Sequence, residues 1–180
     1  MLAGNEAFSP SSFDLISSTI LTGNQLSVTF DVNGLGNSYK HLQVRMVARS
    51  NKSTGGDTIS YRFNGDAGSS YTMHYIQGNG SSVGSGAYTA QSGVYYIDIA
   101  AASGPSNAFT PAVMDITDAF NTVKYKTSKV FWGDTAQWNA VNIRSSTWVN
   151  TAALTSIELS NFSGSSFVAG SRFSIYGIKG

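Results

Sequence analysis

Hydrophobic and polar positions alternate with a period of two along most of the chain. Leu26, Val28, Phe30 and Val32 fall on one face, with Gln25, Ser27, Thr29 and Asp31 on the other. Leu42, Val44, Met46 and Ala48 repeat the pattern opposite Gln43, Arg45 and Arg49. Ile59, Tyr61 and Phe63 continue it, as do Tyr95, Ile97 and Ile99. Val141 and Ile143 stand against Asn142 and Arg144, and Phe173 and Ile175 against Arg172 and Ser174. Side chains on a strand point alternately to its two faces, so each segment is expected to bury its apolar face and wet the other.

Turn residues punctuate these runs. Asn33-Gly34, Asn64-Gly65 and Asn79-Gly80 tolerate the positive φ that tight turns demand, and Gly55-Gly56, Gly104-Pro105 and Gly164-Ser165 mark further breaks. Strands are predicted near 13–21, 25–32, 41–50, 58–64, 71–77, 93–100, 109–117, 128–133, 139–149, 154–161 and 171–178. With no convincing amphipathic helix, this predicts an all-β, antiparallel β-sandwich, jelly-roll-like, of about 8 to 11 strands. Residues 13–180 are read as one domain, preceded by an N-terminal arm over residues 1–12. The stretch 78–92, with four glycines, is predicted to be a long mobile or partner-ordered loop.

Composition changes the picture by removing functions. The 180 residues contain no cysteine, which excludes disulfides, thiolate metal sites and cysteine nucleophiles. A net charge of +1 supplies no field for gathering nucleic acid. Only 12% of residues are charged, while Ser, Thr, Asn and Gly together make up 75 of 180, so hydroxyls and amides must form most of the polar surface. The start of the chain has no basic segment leading into an apolar core, and no run approaches the length of a membrane span. The expectation is a soluble chain, not exported by the ordinary signal route, with no nucleic-acid or membrane partner.

Catalytic signals are weak. The two histidines, His41 and His74, lie in strand patterns without a second histidine at ligand spacing, and no Gly-x-Ser-x-Gly elbow occurs. A hydrolase would need one of them beside an acidic group in a cleft. Asp115 and Asp118 are close in sequence but are explained as well by turn capping. Asn64-Gly65-Asp66-Ala67-Gly68 lacks the spacing and distal Glu of a calcium loop and reads as a hairpin turn. Gly84-Ser85-Gly86 lacks the Lys-Ser/Thr of a phosphate loop. No catalytic residue, cofactor or metal ligand is predicted. Trp132, Trp138 and Trp148 lie in the last third of the chain, with Tyr95, Tyr96 and Tyr125. They would fill the core or a subunit interface, or form a platform for sugar rings.

Several blocks in fixed order resemble a widespread group of tailed-phage virion proteins. These are Tyr39-Lys-His-Leu-Gln-Val-Arg45 with Ala48-Arg49, Arg62-Phe-Asn-Gly-Asp66 with Ser70-Tyr71, and Asp115 to Thr127. Trp148 to Ile157 follows, and Phe167-x-x-Gly170-Ser-Arg-Phe-Ser-Ile-Tyr-Gly-Ile-Lys179 closes the series with its most specific member. The blocks span residues 26–180; Ala119-Phe120 departs from the pattern where a Tyr is expected before Asn121-Thr122. The resemblance implies a jelly-roll-like particle component, not an enzyme, on the outer surface of the virion. The expected role is a capsid decoration (cement) protein that docks on the major capsid protein as a homotrimer and reinforces capsomer junctions. Leu2, Phe8, Phe13, Trp132, Trp138 and Trp148 are the expected interface residues. The alternative is a tail-fibre or head-fibre module that binds host glycans through Trp and Tyr platforms and the 78–92 segment.

Overall fold

The computed structural model describes residues 12–134 and 137–180. Its first strands are β1 (Phe13–Ile20), β2 (Ser27–Asp31), β3 (His41–Ala48), β4 (Asp57–Phe63), β5 (Tyr71–Gly78) and β6 (Val83–Gln91). They are followed by β7 (Val94–Ile99), β8 (Thr110–Thr117), β9 (Lys126–Asp134), β10 (Ala140–Trp148), β11 (Ser156–Asn161) and β12 (Arg172–Ile178). Among the described residues one 3-10 turn, Leu35–Asn37, is the only helical element.

The strands form two antiparallel sheets packed as a sandwich. One has the order β1-β12-β3-β8-β9-β10-β5-β6, the other β2-β11-β4-β7. Strand one pairs with twelve, two with eleven, three with eight and four with seven, all antiparallel. Eight of the strands thus make a jelly roll, wound as a doubled-over ribbon. The other four are two inserted hairpins, β5–β6 and β9–β10, which extend one sheet beyond β8 while the facing sheet stops at β7. The core lies between the sheets, where Leu42, Val44, Ile59, Phe63, Met114, Ile116, Ile157, Leu159, Phe173 and Ile175 are fully buried. The expected alternation holds in most jelly-roll strands, but Leu26 is 66% exposed and a bulge at Tyr95–Tyr96 interrupts the pattern on β7.

In the extension it reverses. Asn142, Arg144, Ser146 and Trp148 of β10 point inward, and Val141 and Ile143 point out to solvent. On the adjoining β9, Trp132 is inside and Phe131 outside. The expectation that Val141 and Ile143 face the core is therefore wrong, and the physical reason is coverage. Burying an unpaired polar group in a dry core is costly, but the inner face of β10 is only partly roofed beyond β7 and borders a cleft. Where it is roofed, the polar groups satisfy one another. The Tyr61 hydroxyl lies 2.7 Å from both Ser128 Oγ and Ser146 Oγ, which are themselves 2.6 Å apart.

The segment 78–92 is not a loop. It turns at Asn79–Ser82, where Asn79 Oδ1 accepts the N–H groups of Ser81 and Ser82, and returns as β6 along β5. Its glycines serve packing as well as flexibility: a Cβ on Gly86 would lie 2.6 Å from the Tyr75 ring. The outer face of β12 carries Tyr176 and Ile178 beside Arg172 and Ser174, and it is partly covered from within the chain. Phe13 stacks on Tyr176 at 4.8 Å, and the Arg45 guanidinium sits over both rings.

Two of the few cations are buried struts. Lys126 is fully enclosed, and its ammonium donates to the carbonyls of Asn121, Lys124 and Thr151. Arg49 is 6% exposed and donates to the carbonyls of Gly104, Pro105 and Ala108. Each ties irregular backbone that no strand ladder can satisfy.

Candidate binding cleft between the sheets

The residues expected to form an interface are scattered. Trp132 and Trp148 are core residues, 1% and 2% exposed, so neither can touch a partner or a sugar from the folded surface. Their alternation with apolar neighbours did not reveal which face turns inward. Trp148 stacks on Tyr71, meets Phe63 edge-on, and donates its indole N–H to Asp66 Oδ2 at 2.6 Å. Phe13 is half-exposed against Tyr176, whereas Leu2 and Phe8 lie outside the described residues. Trp138 alone of the three tryptophans reaches the surface; it lies over Gly56 and donates to the Ile99 carbonyl at 3.0 Å.

His41 lines a pocket together with Asp115, while no described carboxylate shares the pocket of His74. His41 Nδ1 accepts the Asp118 N–H at 2.9 Å, and His74 is exposed on β5. Among the described residues no cluster of three His, Asp or Glu side chains could hold a metal. Asp66 is occupied as a turn residue, accepting from Gly68 N–H and Trp148, and these bonds hold its carboxyl below the usual range.

A different constellation gathers where the extension overhangs β7. A cleft of about 460 Å³ is lined by Tyr75, Gln77, Tyr88, Tyr96, Asp98 and Arg144, with Trp138 and Phe162 at its rim. Two β-bulges shape it. One, on β6, leaves Ala90 at φ +54° between the pairs Tyr71↔Gln91 and Met73↔Tyr88. The other, on β7, sets Tyr95 and Tyr96 between Ile59↔Ile97 and Tyr61↔Val94, with Tyr96 at φ +70°. A tyrosine in the left-handed region is strained, and the bulge re-aims its ring. Tyr75, Tyr88 and Tyr96 then follow one another at centroid spacings of 6.2 and 5.5 Å, and Phe162 joins Tyr96 at 6.0 Å.

Charge at the base of the cleft is confined. The Arg144 guanidinium lies 5.0 Å from the Tyr75 ring centre, 5.5 Å from Tyr96 and 5.6 Å from Trp132. Its Nη1 donates to Met73 Sδ, a weak acceptor, and its Nε has no partner. Asn142 Oδ1 is likewise buried and unpartnered, whereas the Trp132 indole N–H interacts with the Asp98 carboxyl. Asp98 forms no ion pair with Arg144 within 4.0 Å. Burial pushes the Asp98 carboxyl up to about 6; Arg144 and the Trp132 indole oppose that rise, while Asp134 adds to it.

This titration predicts a pH dependence. The folded protein holds the Asp98 proton to about pH 6, whereas the unfolded chain releases it near pH 4. Stability from this group is therefore fully present below about pH 4 and is lost as pH rises through about 6, on the order of 2–3 kcal/mol in all. Urea unfolding across this window should show that slope in the wild type and not in Asp98→Asn. Equal slopes would place the raised carboxyl elsewhere.

No family model matches the chain, and no curated protein is detectably similar to it. Among solved structures, an alginate lyase in complex with an alginate tetrasaccharide superposes over 90% of this chain and 80% of its own, with 10% identity and a TM-score of 0.32. A likeness that loose carries no argument about activity.

Proposed function

We propose that the chain is a structural protein of a phage particle, a decoration protein that docks on the major capsid protein as a homotrimer and acts by burying surface, not by catalysis. The reading is carried by the outward face of the two inserted hairpins. There Ile76, Val83, Phe131, Val141 and Ile143 are each 45–76% exposed. Strand register sets them side by side, with Ile143 opposite Ile76 on one flank and Phe131 on the other. An apolar surface of this kind on a sheet face marks a contact site. Its chemistry suits a partner held by packing, with little dependence on salt. The resemblance of the sequence blocks to virion proteins supports a shell protein as that partner.

Decoration-stripped particles of the parent phage, mixed with the purified chain and imaged by cryo-EM, test the reading. Ordered density at shell symmetry positions is the expected result. A Phe131→Ser, Ile143→Ser variant should fold normally, because exposed substitutions shift stability by only about 0.5 kcal/mol, and should bind particles at least about ten-fold more weakly. Density confined to the tail, or no binding by the wild type, would overturn the assignment.

A further inference from the structure

We propose that the cleft between the inserted hairpins and β7 is a binding site for an uncharged oligosaccharide. This inference does not rest on shell docking: Ile143 and Ile76 project from the outer face, whereas Arg144 and Tyr75 line the inner one.

Three independent features of the cleft call for such a ligand. The first is its wall. Tyr75, Tyr88 and Tyr96 present a run of rings at spacings of 5.5–6.2 Å, and aromatic faces stack on the C–H faces of pyranose rings while phenol hydroxyls bond their edges. The second is its unspent hydrogen bonding. Arg144 is 4% exposed, and its Nε is buried with no acceptor. Asp98 lies in the same cleft but not in contact with it, so a donor and an acceptor stand apart, as neighbouring sugar hydroxyls require. A buried polar group without a partner is uncommon in a folded chain and finds its reason in a ligand that supplies one. The third is strain: Tyr96 is held at φ +70°, a cost that placing its ring in the cleft explains.

Charge selects the class. Lys52 and Arg144 are matched by Asp57 and Asp98 among the lining residues, so the cleft has no net field to draw an anion. Room is also reserved. Gly86 stands opposite Tyr75, where a Cβ would lie 2.6 Å from the ring and displace it from its place in the wall.

Binding of cellohexaose, maltohexaose and mannohexaose, each titrated to about 10 mM, is followed by amide NMR shifts; a Kd near 1 mM would still saturate. Saturable shifts around Tyr96, Asp98 and Arg144 with at least one of them are expected. Tyr96→Gly should weaken binding at least about ten-fold while still folding, because the strain relieved at φ +70° offsets part of the lost ring contacts. Gly86→Leu should disrupt the site, and the Phe131→Ser, Ile143→Ser variant should bind sugar normally. No shifts with any of the three sugars, or tighter binding of a hexuronic-acid oligomer, would overturn the proposal. Shifts that survive Tyr96→Gly would do the same.

Discussion

Trp148→Ala is expected to lower the free energy of unfolding by about 4 kcal/mol, among the larger effects of any single substitution in this chain. The indole is 2% exposed and shares a packed aromatic cluster with Phe63 and Tyr71, at centroid distances of 5.9 and 6.4 Å. Alanine would leave a cavity that strand backbones on either side cannot close, because β10 is hydrogen-bonded to both β5 and β9. The Asp66 carboxylate would also lose its strongest partner. Two measurements separate these contributions. Urea unfolding gives the total, and Trp148→Phe, which keeps a ring but removes the N–H, should cost about 1–2 kcal/mol and raise the Asp66 pKa. A loss under about 2 kcal/mol for Trp148→Ala would mean that the aromatic cluster repacks.

Lys126→Met is expected to cost about 3 kcal/mol, although it keeps the length and most of the apolar stem of the side chain. The ammonium is the common partner of three loop carbonyls, those of Asn121, Lys124 and Thr151. A thioether cannot donate to any of them, and part-buried carbonyls left without a donor carry a desolvation cost. Burial already holds the Lys126 pKa below its ordinary value, with Asp118 opposing, so its charge is retained against a desolvation cost. Because its contacts are carbonyls and not carboxylates, the effect should vary little between low and high salt, unlike that of a surface ion pair. Chemical unfolding at two ionic strengths checks both points. A cost below about 1 kcal/mol would show that water replaces the ammonium.

The same strut explains why sequence blocks far apart in the chain occur together. Asn64 of the Arg62–Asp66 block bonds the Ala153 carbonyl and the N–H groups of Thr155 and Ser156. Trp148 reaches Asp66, and Lys126 reaches Thr151. Leu154 N–H donates to the Ala119 carbonyl, and Asp118 N–H to His41. Parts of four of the blocks behind the virion-protein resemblance therefore converge on one loop cluster at an end of the jelly roll, while Arg49 and the Phe167–Ser171 turn meet at the other end of β3. Their short polar groups hold backbone in place, and none of them contributes to the cleft wall formed by Tyr75, Tyr88 and Tyr96.

Alternation at period two was enough to place the jelly-roll strands and their core, because in those strands both sheets are present and the apolar face must turn inward. The turns at Asn33-Gly34, Asn64-Gly65 and Asn79-Gly80 were equally legible: Gly34, Gly65 and Gly80 adopt positive φ, and so does Asn64. Strand β6 was missed because Gly84, Gly86 and small polar residues give it no hydrophobic period to detect. For β10 the period was right and the facing was wrong. Local sequence determined that Arg144 and Ile143 lie on opposite sides of a strand; it could not say which side has a roof. Only the tertiary structure decided that. The facing sheet ends at β7, so the inward Arg144 of the extension borders a cleft, and outward positions are free to carry an apolar contact surface.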